Sequence, residues 1–417
     1  MSINRVNWAS NLAYSAEAIL EPATVDDVQG LVARWPRVRA LGTRHSFTDL
    51  ADTPGALISL AGLDPDIRIN PITMTASVTG GTSFGVLIDE LQAHGFALHN
   101  TGSLPHISVA GATATGTHGS GDHNGILSTA ISAVELVKAD GSLVTIDRSS
   151  EHLPAIAVGL GAFGIITRVT LDIEPSYRVR QDVYRFAPWE TVLKQLDDVM
   201  ASAYSVSLLA DFASPTVMQI WLKTRLEDGE DPEIASTLFG GVWYDDSDEL
   251  APENVNQRAS VPGPWSERMP HFRLDRQPSN RGDELQSEYY VRREHGVQAL
   301  EVLRTLGEQI GPHLLISEIR TAAADSLWLS PAYEQDVLCI GFTWAKHPAE
   351  VAALLPVIEE ALAPFSPRQH WGKLFHLGAD VIAQRFPRIT DFTALRNQYD
   401  PHGKFWNPFL ERTLGSP

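Results

Sequence analysis

The sequence predicts an α+β protein of two parts. Helical and strand periodicities interleave through the stretch ending at Ser176, and an Asp140-Gly141 pair there marks an antiparallel hairpin. From about Tyr177 the texture changes to strand–helix–strand blocks, which suggest a sheet covered by helices. At 417 residues the chain is long enough for two domains and a large core.

The elements follow in order. Thr24, with Asp27 three residues on, starts a helix whose inner face is Val25, Val28, Leu31, Val32 and Trp35. A strand over Val38–Leu41 breaks at Gly42 into GTRHSF, and Leu57–Leu60 reads as a second buried strand. Ile67–Ile69 and Thr75–Val78 look paired. Gly80-Gly81 then opens a helix with Phe84, Leu87, Ile88 and Leu91 inward. Val134–Lys138 and Leu143–Ile146 flank the Asp-Gly turn, and Gly161–Pro175 reads as a glycine-pinched turn into a long strand. In the second part a helix through Val192, Leu193, Leu196, Val199 and Met200 precedes strands at Ser205–Leu209 and Val217–Lys223. Glu284–Val291, Leu314–Ala322 and Val337–Trp344 read as strands. Val297–Ile310 and the Val351, Leu354, Leu355, Ile358, Leu362 series read as helices. The closing segment, Gln369–Pro408, carries aromatics and Lys373.

Composition narrows the partners. Hydrophobic content of 43% and charged content of 20% suit a soluble globular protein. A formal charge of −19 argues against nucleic acid and anionic membranes, which select basic patches, and leaves a neutral small molecule as the natural partner. One cysteine, Cys339, excludes an internal disulfide and a cysteine zinc site, and fits a reducing, cytoplasmic setting. The first residues lack a signal-peptide pattern, and no apolar run reaches membrane-spanning length. A monomer is expected. The acidic runs Glu227–Glu233 and Asp245–Glu249 lack calcium-loop spacing and read as solvated loops.

One stretch stands apart: GSLPHISVAGATATGTHGSG, from Gly102 to Gly121. Its glycines, Gly111, Gly116, Gly119 and Gly121 among them, allow close backbone approach, and successive N–H groups in such a run can cradle a pyrophosphate. It matches neither the P-loop nor a clean dinucleotide fingerprint, so a cofactor loop and an irregular structural loop both remain open. His106, His118 and His123 lack metal-ligand spacing, and no metal is expected. A hydrolase elbow is absent. Later in the chain, Glu318 and Arg320 share one strand face, as do Gln286 and Glu288, and Thr343 and Gly341. If these faces converge with Lys373 of HWGKLF, they make a polar pocket of one acid, two cations and neutral hydrogen-bonding groups, suited to an uncharged polyhydroxylated ligand. Glu318–Arg320 also reads as a structural ion pair on an exposed sheet. His45 alone reads as a surface or cap residue.

GTRHSF, SLPHISVAGATATGTHGSG, ELQSEY, SEIRTAAAD, FTW and HWGKLF, in this order, resemble the alditol (xylitol) oxidases of the vanillyl-alcohol-oxidase-type flavoprotein superfamily. The resemblance runs from Asn7 to about Phe409. It implies a two-domain FAD-binding (PCMH-type) fold: a cofactor domain over 14–176, completed by the tail 375–417, and a sheet-plus-helices substrate or cap domain over 177–374. It also implies FAD attached covalently through His45, within Leu41, Gly42, Thr43, Arg44, His45 and Ser46. Ser103, Ser108, Gly111, Thr115, Gly116, Thr117, His118 and Ile166 match further FAD-holding positions. The substrate positions carry over as Ser103, Glu318, Arg320, Thr343 and Lys373, with Gln286 a weaker match; Glu318, Arg320 and Lys373 carry the catalytic expectation. The implied reaction oxidises the C1 hydroxyl of alditols such as xylitol, sorbitol or glycerol, with O2 reduced to hydrogen peroxide; an aldonolactone-type dehydrogenase with another electron acceptor is the alternative. Two departures stand out. Gly341 occupies the place of a family histidine before FTW, and Gly102 stands where a relative carries alanine.

Overall fold

The computed structural model describes residues 5–227, 229–245, 254–256, 260–278 and 282–416. Asp246 to Glu249 of the second acidic run lie outside them. In the other run Asp231 is not merely solvated, since it pairs with Arg180 at 2.8 Å.

The first part builds two sheets. Ala18–Leu20, Ala56–Ser59 and Val38–Leu41 form a parallel three-stranded sheet. Arg68–Asn70, Thr75–Thr79, Ile165–Asp172, Ile131–Val137 and Leu143–Asp147 form an antiparallel five-stranded one. The helix Val25–Arg34 begins as expected, with a Thr24–Asp27 capping box. Phe84–Ala93 is capped by Ser83 and buries Phe84, Leu87, Ile88 and Leu91.

The second part is a ten-stranded sheet. Its centre runs Arg178–Pro188, Thr216–Leu226, Ser205–Ala210, Leu314–Ala322, Val337–Ala345 and Glu284–Arg292, each antiparallel to the next. Alternation sends Leu338, Ile340, Phe342 and Trp344 to one side. There they share a core with the helices Gly296–Thr305 and Pro348–Leu362. The other side carries the polar residues.

Three elements depart from the sequence reading. The strand Arg178–Pro188 was not foreseen, because its buried Arg180 and Asp182 look like surface residues. They share a face at i and i+2 and pair at 2.9 Å, which lets the strand go inside. The helix expected through Val192 splits at Gln195 into Trp189–Lys194 and Leu196–Met200. Val297–Ile310 splits at Leu306, where a side chain on Gly307 would meet the Phe212 carbonyl at 2.8 Å.

The closing segment adds helices Ala379–Arg385, Ile389–Tyr399 and Pro408–Leu414. It returns to the first part. Lys404 O accepts from Val38 N at 3.0 Å. Asn407 Nδ2 donates to the carbonyls of Leu50 and Asp52. Buried Arg39 joins four carbonyls, those of Leu50, Leu160, Gly161 and Phe405, at 2.6–3.0 Å. No helix among the described residues is long and apolar enough to cross a membrane.

Candidate active site

A cavity of about 380 Å³ lies between the first part and the polar side of the large sheet. One wall is mostly backbone. Leu41 to Phe47 loops along it, and Arg44, at φ 66, holds a left-handed conformation uncommon for a side-chain-bearing residue. That turn sets His45 against the Trp8 ring, with centroids 5.5 Å apart. Thr43 Oγ1 sits 3.0 Å from His45 Nδ1 and accepts from Ser108 N at 3.2 Å. Burial first, then His106 and Arg44, lowers the His45 pKa to about 4, so the ring is neutral and nucleophilic at neutral pH. The chain is already engaged before Tyr14: Asn7 Nδ2 donates to Ser46 O at 2.9 Å, and Trp8 N donates to Arg44 O.

Glycines shape the cradle. A Cβ on either Gly42 or Gly111 would stand 2.7 Å from Ser108 Oγ. One on Gly80 would stand 2.4 Å from Ile166 O, and one on Gly81 would stand 2.5 Å from Leu60 O. Thr115, Thr117, His118 and Ile166 complete this wall. Gly116 does not line it. At φ +74 it turns the chain beside Pro331, between the lining residues Thr115 and Thr117. Gly80, Gly81, Gly161 and Gly164 do line the cavity, although sequence reading took them for turn punctuation. Their clustering as close glycine pairs was the available signal.

The opposite wall is a grid of side chains. The strand register sets Gln286, Thr343 and Ile316 in one row, Glu288, Gly341 and Glu318 in the next, and Tyr290, Cys339 and Arg320 in the third. Paired residues on adjacent strands share a face, so these nine positions form one floor. Ser103 and Lys373 close its sides. Arg320 Nε donates to Glu318 Oε1 at 2.6 Å, its Nη2 pairs with Glu318 Oε2, and the same Nη2 donates to Ser103 Oγ at 2.5 Å. Burial pushes the Arg320 guanidinium down, but Glu318 outweighs it and the pKa moves up. Ser103 O accepts from His271 N and Phe272 N, so that loop braces the serine from behind. Gln286 Nε2 donates to Glu284 Oε1 at 2.7 Å, which leaves its carbonyl as an acceptor.

Among the described residues three acids line this side of the cavity, Glu284, Glu288 and Glu318, not the one expected. Glu288, noted only as a face-mate of Gln286, is buried and lies 2.9 Å from Lys373 Nζ and 3.2 Å from His118 Nε2. The Lys373 contact is close but poorly angled for a hydrogen bond. Burial pushes the Glu288 carboxyl up; Lys373 and His118 outweigh it and hold it well below the usual carboxylate range. Apart from Gly116, every sequence-predicted site residue meets in this one cavity.

A curated relative decides the family: the chain is 41% identical to an alditol oxidase of a Streptomyces species, covering 99% of this chain and 100% of that one. The chain belongs to the alditol oxidase family of FAD-binding, vanillyl-alcohol-oxidase-type flavoproteins. The FAD binding domain family matches residues 16–147, and the D-arabinono-1,4-lactone oxidase family matches 281–413. An L-gulono-1,4-lactone dehydrogenase of Mycobacterium tuberculosis is 28% identical over 98% of each chain. Among solved structures, cholesterol oxidase from B. sterolicum shares the fold, with TM-score 0.79 at 16% identity over 99% of this chain and 96% of its own. As a member of the alditol oxidase family, the chain is an FAD-dependent oxidoreductase. The cradle fits FAD: side chains on Gly42, Gly80, Gly81 or Gly111 would crowd into neighbouring atoms along it.

Proposed function

We propose that the protein oxidises the terminal C1 hydroxyl of an alditol such as xylitol, sorbitol or glycerol to the aldose, with O2 reduced to hydrogen peroxide. The observation that carries the substrate class is the pairing of the floor: Arg320 with Glu318, and Lys373 with Glu288. Neither cation is left over for a carboxylate or phosphate, while hydroxyl-matching donors and acceptors abound. Bound FAD supplies the two-electron oxidation. Ser103 Oγ accepts from Arg320, so its own proton is available to a substrate oxygen. Glu318 accepts hydrogen bonds from substrate hydroxyls and orients Arg320. Arg320 and Lys373 stabilise negative charge that develops on the reacting oxygen. Thr343 and Gln286 select hydroxyls further along the chain.

His45, neutral and set at the cradle, is the residue we assign to covalent attachment of FAD. We divide the chain into a cofactor domain over 14–176, completed by 375–417, and a substrate domain over 177–374. The reading also places the enzyme in the cytoplasm as a monomer, which a single buried cysteine fits.

Acid precipitation and a polyol panel with peroxide detection test this reading. A yellow pellet and peroxide from a neutral alditol are expected. A colourless pellet would remove the His45 bond, and a panel without turnover would remove the substrate class. The lactone-family match over 281–413 favours one alternative, an aldonolactone-type dehydrogenase with another acceptor. Turnover with an artificial acceptor but no peroxide in air would establish that instead.

A further inference from the structure

Glu288 has a place that the proposed chemistry leaves unexplained. It is 5% exposed, on the cavity side of its strand, and a carboxylate so buried persists only with compensating partners. Those partners come from separate parts of the chain. His118 belongs to the glycine-rich stretch, and Lys373 to the loop after Gln369. That loop is tied to the same strand by its backbone. His370 N donates to Glu288 O at 3.1 Å, and Leu374 N donates to Gln286 O at 2.8 Å. Gly341, directly opposite, makes the room: a Cβ there would stand 3.1 Å from Glu288 Oε1.

His118 is held from both sides of its ring. Its Nδ1 lies 2.8 Å from Gly119 O, and a carbonyl only accepts, so Nδ1 carries hydrogen. Its Nε2 faces Glu288 Oε1, and the ammonium of Lys373 occupies the other carboxylate oxygen.

We infer that Glu288 is a positioning residue whose single carboxylate bridges Lys373 and His118, locking the cofactor loop to the substrate floor. The consequence is electrostatic. Arg320 and Lys373 are thereby held, each against its own carboxylate, beside the cradle of a cofactor that must accept electrons. The other groups facing Glu288 hold their states. Burial, with Lys373 next, pushes the His370 ring down to about 3. Burial and the Glu288 charge hold the Tyr290 phenol and the Cys339 thiol well above their usual ranges. Arg320 stays charged through Glu318.

The inference rests on the proposed reaction only for the role of Lys373; the His118 contact needs no substrate. Two experiments on the holoenzyme test it. Nitrogen-15 spectra of labelled histidine, with His118→Asn as the assignment control, are expected to show the His118 ring nitrogens shifted in Glu288→Gln relative to the unaltered enzyme. Unmoved His118 signals overturn the inference, and Glu288→Asp, which keeps the charge but shortens its reach, gives the same reading where Glu288→Gln does not fold. In rapid kinetics, Glu288→Gln is expected to slow flavin reduction by about 10–100-fold with a smaller change in KM. In a Lys373→Met background it should cost little more, because it acts through the lysine. An equal loss in both backgrounds overturns the positioning role. A polyol panel without turnover would remove the proposed substrate and leave the nitrogen spectra standing.

Discussion

The two walls of the cavity are made of different material. The cofactor wall is backbone brought close by glycines, with Gly80 and Gly81 lying against the carbonyls of Ile166 and Leu60. The floor opposite is side chains in three rows across three strands. A backbone wall fixes shape and tolerates little, because a carbonyl held in a sheet has nowhere to retreat. A side-chain wall fixes charge and hydrogen bonding, and its members can change without unfolding the sheet. Holding a large common cofactor and choosing among similar small alcohols are thus separable tasks in this fold.

Substitutions on each wall sharpen that contrast. The largest effect is expected from Lys373→Met on the floor: kcat falls about 10²–10³-fold while FAD content holds, as measured by stopped-flow flavin reduction. Unchanged turnover would rule out its electrostatic role. On the backbone wall Gly80→Ala would drive a Cβ to 2.4 Å from Ile166 O. It is expected to cost about 1–3 kcal/mol and to lower FAD content, read by urea unfolding and the flavin absorbance ratio. Gly341→Ala is gentler, since its nearest atoms, Glu288 Oε1 at 3.1 Å and Glu318 O at 3.3 Å, need give way only slightly. It should change the preference among polyols by about tenfold and leave FAD bound; loss of the cofactor would break the distinction between the walls. Gly102→Ala is smallest. Its Cβ would make ordinary contact with Thr117 at 3.5 Å, so stability should hold within about 0.5 kcal/mol. Only reoxidation in air is expected to slow.

The junction of the walls gives a pH prediction. The His370 ring is held down to about 3, mainly by burial, whereas an unfolded histidine titrates near about 6.5. Between those values the unfolded chain binds the proton and the folded one does not, so stability is lost as pH falls from about 6.5 toward 3. Thermal unfolding across that window should show the slope. His370→Gln, which keeps an acceptor for Gly372 N, should flatten it.

The sequence makes the wall materials unequally legible. Glycines announce a backbone wall, and the stretch from Gly102 to Gly121 was readable for that reason. Alternation along Leu314–Ala322 likewise put Glu318 and Arg320 on one face correctly. What one strand cannot show is its neighbour's register. Glu288 therefore stayed a face-mate of Gln286, because His118 and Lys373 meet it only in the folded chain. Arg178–Pro188 stayed hidden for a related reason. Its Arg180–Asp182 pair cancels in place, while hydropathy counts two charges. Motif resemblance named residues that the fold brings into one cavity, where periodicity alone left open whether Glu318–Arg320 lined a pocket or an outer face.

Arg39 carries a consequence for how the molecule is made. Its guanidinium joins the carbonyls of Leu50, Leu160 and Gly161 to that of Phe405, and the Val38 amide waits on Lys404. A ribosome produces the first three carbonyls long before the fourth. Until Lys404 and Phe405 emerge, the earliest sheet has an unfilled edge and a buried cation short of one partner. The half of the molecule that starts first is therefore completed only after the large sheet has been made.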